Sequence, residues 1–369
     1  MSLRIGYTAV LLVACSTGES VSGQSPPSGM VPQAIAGHTL YLRPGFRIGV
    51  FAGNLQGVRN LALGPGGAVY AALQGSGSVV KIARADGDTV AGAISDAATG
   101  LNGPFGIAFR GDTMYVGEMT KVTRFVPGGT TGQVIVSALP SGGHSTRTVL
   151  FGSDGMMYVA VGSSCNVCAE SDARRAAVTR FNPDGSGEHR FATGLRNSVG
   201  IAFNPSTGEL WATNNDRDNL GDDLPPEHLN ILKDGKYYGW PQCYLPGKPN
   251  PEYPNADCST VEAPAITFQA HSAPLGLTFY TGTAFPGYQG DAFITYHGSW
   301  NRSVPTGAKV VHVKVQSGRP VSIEDFVVGW QMADGSRWGR PVGVLALPDG
   351  SVLISDDQGG RIWRVTYGK

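Results

Sequence analysis

Residues 343–354 read Gly343-Val344-Leu345-Ala346-Leu347-Pro348-Asp349-Gly350-Ser351-Val352-Leu353-Ile354. That is a small residue, an apolar run, a Pro-Asp-Gly turn and a second apolar run. Pro and Asp favour the leading positions of a tight reversal and Gly its closing one. The flanking runs are strand material. Five further copies lie upstream. Asn60-Leu61-Ala62-Leu63-Gly64-Pro65-Gly66-Gly67-Ala68-Val69-Tyr70 is the first, and Gly106-Ile107-Ala108-Phe109 leading to Met114-Tyr115-Val116 is the second. Val149-Leu150-Phe151-Gly152-Ser153-Asp154-Gly155-Met156-Met157-Tyr158-Val159 is the third, and Gly200-Ile201-Ala202-Phe203-Asn204-Pro205 leading to Glu209-Leu210-Trp211 the fourth. A looser fifth joins Gly276-Leu277-Thr278-Phe279-Tyr280 to Asp291-Ala292-Phe293-Ile294. Another strand with a basic or polar residue near its end follows several copies, as in Val122-Thr123-Arg124-Phe125 and Ile362-Trp363-Arg364-Val365. Six copies in about 330 residues give roughly 55 residues each, close to the period of a propeller blade. A two-sheet sandwich would not need one turn phrase six times. The expected fold is all-β, a six-bladed β-propeller over residues 38–369, with strand bodies as core and chemistry in the loops at one mouth.

Composition agrees. Of 369 residues 53 are Gly and 24 are Pro, which suits a chain of tight turns and excludes coiled coils and long helices. An apolar fraction of 41% with balanced charge, 28 basic against 28 acidic, excludes a disordered chain and argues against a nucleic-acid binder. No Gly-x-Gly-x-x-Gly opens a helix after a strand, so NAD and FAD are not expected.

The first residues read as an export signal. Arg4 precedes a short apolar run at 5–14, too short to span a bilayer. The run ends in Leu12-Val13-Ala14-Cys15, which resembles a bacterial lipobox and makes Cys15 a candidate lipid anchor; the alternative is an ordinary cleaved signal. Residues 1–15 are thus the signal and 16–37, rich in Ser, Gly and Pro, a flexible tether. The expected location is the periplasm, as a membrane-anchored lipoprotein. Export makes the other four cysteines disulfide candidates. Cys165–Cys168 and Cys243–Cys258 are the simplest of three pairings, with a redox-active dithiol as the alternative at the first. Ala169 removes the haem-attachment motif Cys-x-x-Cys-His.

Three polar segments break the repeat. Gly142-Gly143-His144-Ser145-Thr146-Arg147 places a histidine after two glycines, either a surface turn or a reactive imidazole. Gly194-Leu195-Arg196-Asn197-Ser198 precedes the fourth copy. Residues 213–223 form an oxygen-rich loop that is either a Ca²⁺ site or a solvated acidic turn.

Arg196-Asn197 ahead of an apolar strand, the acidic loop, and Tyr238-Gly239-Trp240-Pro241 together resemble the soluble quinoprotein sugar dehydrogenases, and most closely their sorbosone dehydrogenase branch. The resemblance runs from about residue 40 to 369 and lies in the ordered set of motifs. It implies a propeller that binds pyrroloquinoline quinone (PQQ) and Ca²⁺ at one mouth and oxidises a sugar, an aldose or a sugar aldehyde such as sorbosone. Electrons would leave to a quinone or cytochrome. It matches the catalytic base to His144 and the cofactor pair to Arg196 and Asn197. It places further cofactor arginines at Arg340, Arg337 and, in 297–302, Arg302, and maps the calcium-binding backbone to Asp216 and Arg217. Glucose-oxidising members carry a Gln where Leu101 stands and an Asp where Ser163 stands. Cys165-Asn166-Val167-Cys168 itself resembles the sorbosone-type branch, and His271 either lines the mouth or is structural. The alternative reading is a Ca²⁺-dependent propeller hydrolase of the lactonase type, which would need carboxylates and amides rather than arginines at its mouth.

Overall fold

The computed structural model describes residues 28–368 apart from 86 and 130. The signal, Cys15 and most of the proposed tether therefore lie outside the described residues.

Six antiparallel blades surround one axis. The innermost strands, in chain order, are Val58–Leu63, Ile107–Arg110, Arg147–Phe151, Ile201–Phe203, Pro274–Phe279 and Pro341–Ala346. Each opens one copy of the repeated phrase, so the six copies are the six blades. The outermost strand of blade six is Phe46–Ala52, which pairs with Arg361–Tyr367 and closes the ring. Among the described residues the one helical element is a 3₁₀ turn at Pro65–Gly67.

The glycine that begins four of the six phrases has a steric cause. A Cβ on Gly200 would lie 2.1 Å from the Leu275 carbonyl oxygen, on Gly276 2.6 Å from that of Val342, and on Gly343 2.7 Å from that of Arg59. Inner strands meet backbone to backbone, and only Gly leaves room. Hydroxyls stitch the same contacts. Gly200 N–H donates to Thr213 Oγ1 (3.0 Å), which donates to Leu275 O (3.0 Å). Gly276 N–H donates to Thr295 Oγ1 (2.8 Å), which donates to Val342 O (2.5 Å). Ser355 repeats the relay between Gly343 and Arg59. Replacing the fully buried Thr295 with the isosteric Val strands a donor and an acceptor at once. Chemical denaturation should then show a loss of about 2 kcal/mol, and an unchanged midpoint would refute the relay's contribution.

Apolar side chains fill the seams between blades, among them fully buried Trp211 and Trp363. The equivalent position at the start of the six inner strands holds Arg59, Phe105, Arg147, Val199, Leu275 and Val342, and Arg59 lies over the Phe105 ring. The four apolar members form one buried cluster that plugs the channel.

The tether ends earlier than expected. Val31–Ile35 and His38–Leu42 form a hairpin turned by Ala36 (φ 52°) and Gly37 (φ 77°), and the second strand joins the outer edge of blade five. The Ser, Gly and Pro content of residues 16–37 masks this hairpin in the sequence. Pro is nevertheless compatible with an edge strand, where Val31–Ile35 sits.

Candidate active site

Four of the six loops that enter an inner strand at one end of the axis carry a polar residue to the same place. His144 precedes the inner strand of blade three, Arg196 and Asn197 that of blade four, His271 that of blade five and Arg340 that of blade six. Asp216 and Asp218 follow the second strand of blade four, Leu210–Asn214, and Glu227 begins its third, Glu227–Leu232. Together with Arg59, His297, Trp300 and Asn301 they line a cavity of about 240 Å³ above the axial plug. A larger cavity, about 610 Å³, lies between the N-terminal hairpin and the 305–309 loop. Its charged residues Lys309 and Asp325 pair with each other at 2.7 Å, and its His38 stacks on Trp338. The smaller cavity holds the unspent chemistry.

His144 Nδ1 lies 3.0 Å from Ser163 O and 3.1 Å from Ser163 Oγ. The hydroxyl hydrogen of Ser163 is donated to Cys165 O (2.7 Å), so both neighbours of Nδ1 accept and the imidazole proton sits on Nδ1. Nε2 keeps its lone pair, and the ring lines the cavity. Burial and then the Arg196 charge hold the imidazole pKa down to about 4. His144 is therefore a neutral base in place.

Arginines surround it in two states. The five N–H groups of Arg196 point at protein acceptors: Asn166 O and Oδ1 (3.2 Å each), Asn215 O (3.4 Å), Asp216 O (2.7 Å) and Asp218 Oδ2 (2.9 Å). It joins loops and lends its charge. Arg59 and Arg340 have donors to spare. Arg59 Nη1 pairs with Asp357 (2.5 Å), while its Nε is buried with no partner. Arg340 donates to His297 O (2.9 Å) and Gly298 O (3.2 Å) through Nε and Nη2, leaving Nη1. Asn197 Oδ1 is likewise buried without a partner.

The acidic side centres on Glu227, which is fully enclosed and accepts the Asp216 amide at 2.6 Å. Among the described residues no ion pair holds it, and burial followed by the Asp216 charge pushes its pKa up to about 8. Two neighbouring buried carboxyls suit a hard cation such as Ca²⁺. A group with a raised folded-state pKa stabilises the fold below its ordinary 4.5 and loses that contribution as pH rises through about 8. Apo Glu227→Gln should therefore gain thermal stability relative to wild type between pH 5 and pH 8, and should lose any Ca²⁺-dependent rise in midpoint. Equal differences at both pH values would sink this assignment.

Of the remaining expected residues, Arg302, Arg337 and Arg217 do not line the cavity. Arg302 donates to Asp222 O and Asp223 Oδ1 (3.3 Å), captured by the acidic loop, and its neighbour Asn301 is the residue that lines the site. Arg337 donates to Ser299 O (2.7 Å) and packs on Gly298 from behind. The Arg217 side chain donates through Nε to Asp218 O (3.1 Å) and through Nη1 to Glu252 and Asn250, so it braces the acidic loop from outside the cavity. His271 both lines the cavity and ties Gly221 O (2.9 Å) to Asn301 (3.3 Å). Arg59, Glu227, His297 and Trp300 were not singled out from the sequence, whereas Asp218 lies in the oxygen-rich loop that was. Arg59 had a signal: it occupies the axis-facing position that is apolar in four of the six blades. Both expected disulfides are present, with Cα separations of 6.2 and 5.9 Å.

Fold and site together define a six-bladed propeller with a polar axial cavity lined by both arginines and carboxyl groups. Comparison with known proteins narrows this. The sequence profile of the family described as Glucose / Sorbosone dehydrogenase matches residues 121–364. An uncharacterized protein of Borreliella burgdorferi is 36% identical over 233 residues, 61% of each chain. A pyrroloquinoline quinone-dependent sugar dehydrogenase of Hypocrea jecorina is 27% identical over 259 residues, 54% of this chain and 59% of its own. The matches thus span about six-tenths of those relatives' lengths. The PQQ domain of pyranose dehydrogenase from Coprinopsis cinerea, solved in its holo form, superposes with a TM-score of 0.79 at 21% identity over 89% of this chain and 97% of its own, which shows the shared fold. The chain belongs to the glucose/sorbosone dehydrogenase family.

Proposed function

We propose that the protein is a PQQ- and Ca²⁺-dependent dehydrogenase that oxidises a sugar, an aldose or a sugar aldehyde such as sorbosone, and passes electrons to a quinone or cytochrome. The carrying observation is a neutral imidazole, proton-capped at Nδ1, in one small cavity with two arginines that still have free donors. PQQ is a planar quinone with three carboxylates, and when bound it supplies the acceptor for a hydride. The unused N–H groups of Arg59 and Arg340 and the orphaned Asn197 oxygen fit such a group. Asp216 and Glu227 fit Ca²⁺. His144 Nε2 takes the proton of the sugar hydroxyl as the C–H bond on the same carbon breaks. Burial and, after it, the charge of the already saturated Arg196 keep that imidazole neutral, and Arg196 holds the acidic loop in place.

A second recess of about 440 Å³, lined by Gln74, Ser76, Leu101, Asn102, Met119 and Ser145, adjoins the base through Ser145 and offers the mixed polar and apolar surface a sugar needs. Leu101 there replaces the amide of glucose-oxidising members, which favours a substrate other than glucose. Three guanidinium groups at the mouth favour this reading over a lactonase. The sequence of residues 1–15 supports a periplasmic, lipid-anchored location through Cys15, which mass spectrometry of the mature N-terminus would test. Apo protein loaded with PQQ and Ca²⁺ should reduce an electron-accepting dye with at least one member of a panel of aldoses, aldehydes and polyols. PQQ-dependent reduction with none of them would overturn the reading.

A further inference from the structure

Cys165-Asn166-Val167-Cys168 takes no part in the chemistry above. Its disulfide closes a four-residue loop wedged between the two halves of the site. On one side, Cys165 O accepts the Ser163 hydroxyl (2.7 Å), and that hydroxyl oxygen is left to accept from His144 Nδ1 (3.1 Å). Gly143, directly before the base, lies so close that a Cβ on it would be 2.4 Å from Ser164 Cα. On the other side, Asn166 O accepts from Arg196 Nε (3.2 Å) and Trp240 Nε1 (2.9 Å). Asn166 Oδ1 accepts from Arg196 Nη2 (3.2 Å) and the Asp218 amide (2.8 Å), while its Nδ2 donates to Asp218 O (3.1 Å). One short loop thus touches the partner of the base, the saturated arginine and the acidic loop. A four-residue segment has little structure of its own, and a cross-link removes its remaining freedom.

We propose that the Cys165–Cys168 bridge is a positioning device for the site: it holds the turn that follows Ser163, so that the Ser163 carbonyl (3.0 Å) and its hydroxyl (3.1 Å), oriented by Cys165 O, together select the Nδ1–H tautomer of His144, and it fixes Asn166 so that Arg196 spans to Asp216 and Asp218. Ser163 and Asn166 are positioning residues. The proposal rests on His144 being the base, but its first test needs neither cofactor nor substrate.

Apo protein labelled with ¹⁵N-histidine reports the tautomer through the shifts of the two ring nitrogens, with His144→Gln assigning the signals. Wild type should show a protonated Nδ1 and an unprotonated Nε2. Cys165→Ser/Cys168→Ser should move both nitrogens toward averaged values. With PQQ and Ca²⁺ bound, the same variant should lose about tenfold in kcat with KM nearly unchanged, and its Tm should stay within about 3 °C of wild type. An unmoved tautomer in the double variant overturns the proposal whatever its activity. A moved tautomer in a protein that oxidises no sugar leaves the positioning intact and overturns the cofactor reading instead. If the double variant does not fold, Ser163→Ala, which keeps both disulfides, carries the test: an unshifted His144 signal there breaks the link from Cys165 to the base.

Discussion

Replacing His144 with Ala in PQQ-loaded protein is expected to lower kcat for sugar oxidation by roughly 10²- to 10⁴-fold, the usual contribution of a positioned general base. The other two histidines that line the cavity are already engaged. His297 Nε2 faces Asp357 at 3.1 Å, and His271 Nε2 donates to Gly221 O. The pH profile is the second readout. Burial first, and the Arg196 charge next, lower the His144 pKa to about 4, so the ring is uncharged above that pH and protonated below it. Activity should fall on the acid side near pH 4, well below the ordinary imidazole value of about 6.5. An acid limb near 6.5, or a His144→Ala protein with wild-type kcat, would remove His144 from its assigned role.

Replacing Arg59 with Ala is expected to weaken PQQ binding by about 100-fold, measured by fluorescence titration of the apo protein. Two effects add. A guanidinium with unused donors at the cavity is lost, and hydrogen bonds to a charged group contribute about 1.5–3 kcal/mol. Asp357 is also left without its 2.5 Å partner. Although burial opposes its ionisation, His297 and Arg59 hold that carboxyl down to about 2, so an anion is uncovered toward an anionic ligand. A drop of about 2.7 kcal/mol corresponds to the 100-fold change. Arg59→Lys should recover part of it, since the charge returns without the planar fork. Unchanged affinity in Arg59→Ala would take Arg59 out of the binding set.

The blades were legible because all six repeat an apolar run, a turn and a second apolar run, and four of them open on a glycine where two inner backbones meet. Periodicity exposes such a pattern without any alignment. His144, Arg196, Asn197 and Arg340 were legible because each precedes an inner strand, and the propeller turns those positions toward one mouth. Glu227 was not, since Glu227-His228-Leu229-Asn230 reads as an ordinary strand and only the closure of blade four buries its carboxylate. Arg302 and Asn301 differ by one residue in a loop, and the choice between them was made by Asp222, about 80 residues away in sequence. Side-chain direction in loops follows such long-range partners, which spacing alone does not reveal.

The strand pairing of Phe46–Ala52 with Arg361–Tyr367 joins segments more than 300 residues apart. Blade six can therefore be completed only after almost the whole polypeptide is available, and closing so long a loop places this step late in folding. Until then Phe46–Ala52 is an unpaired edge able to accept the last strand of another copy, so the chain's characteristic misfolding product should be a ring closed in trans between two molecules.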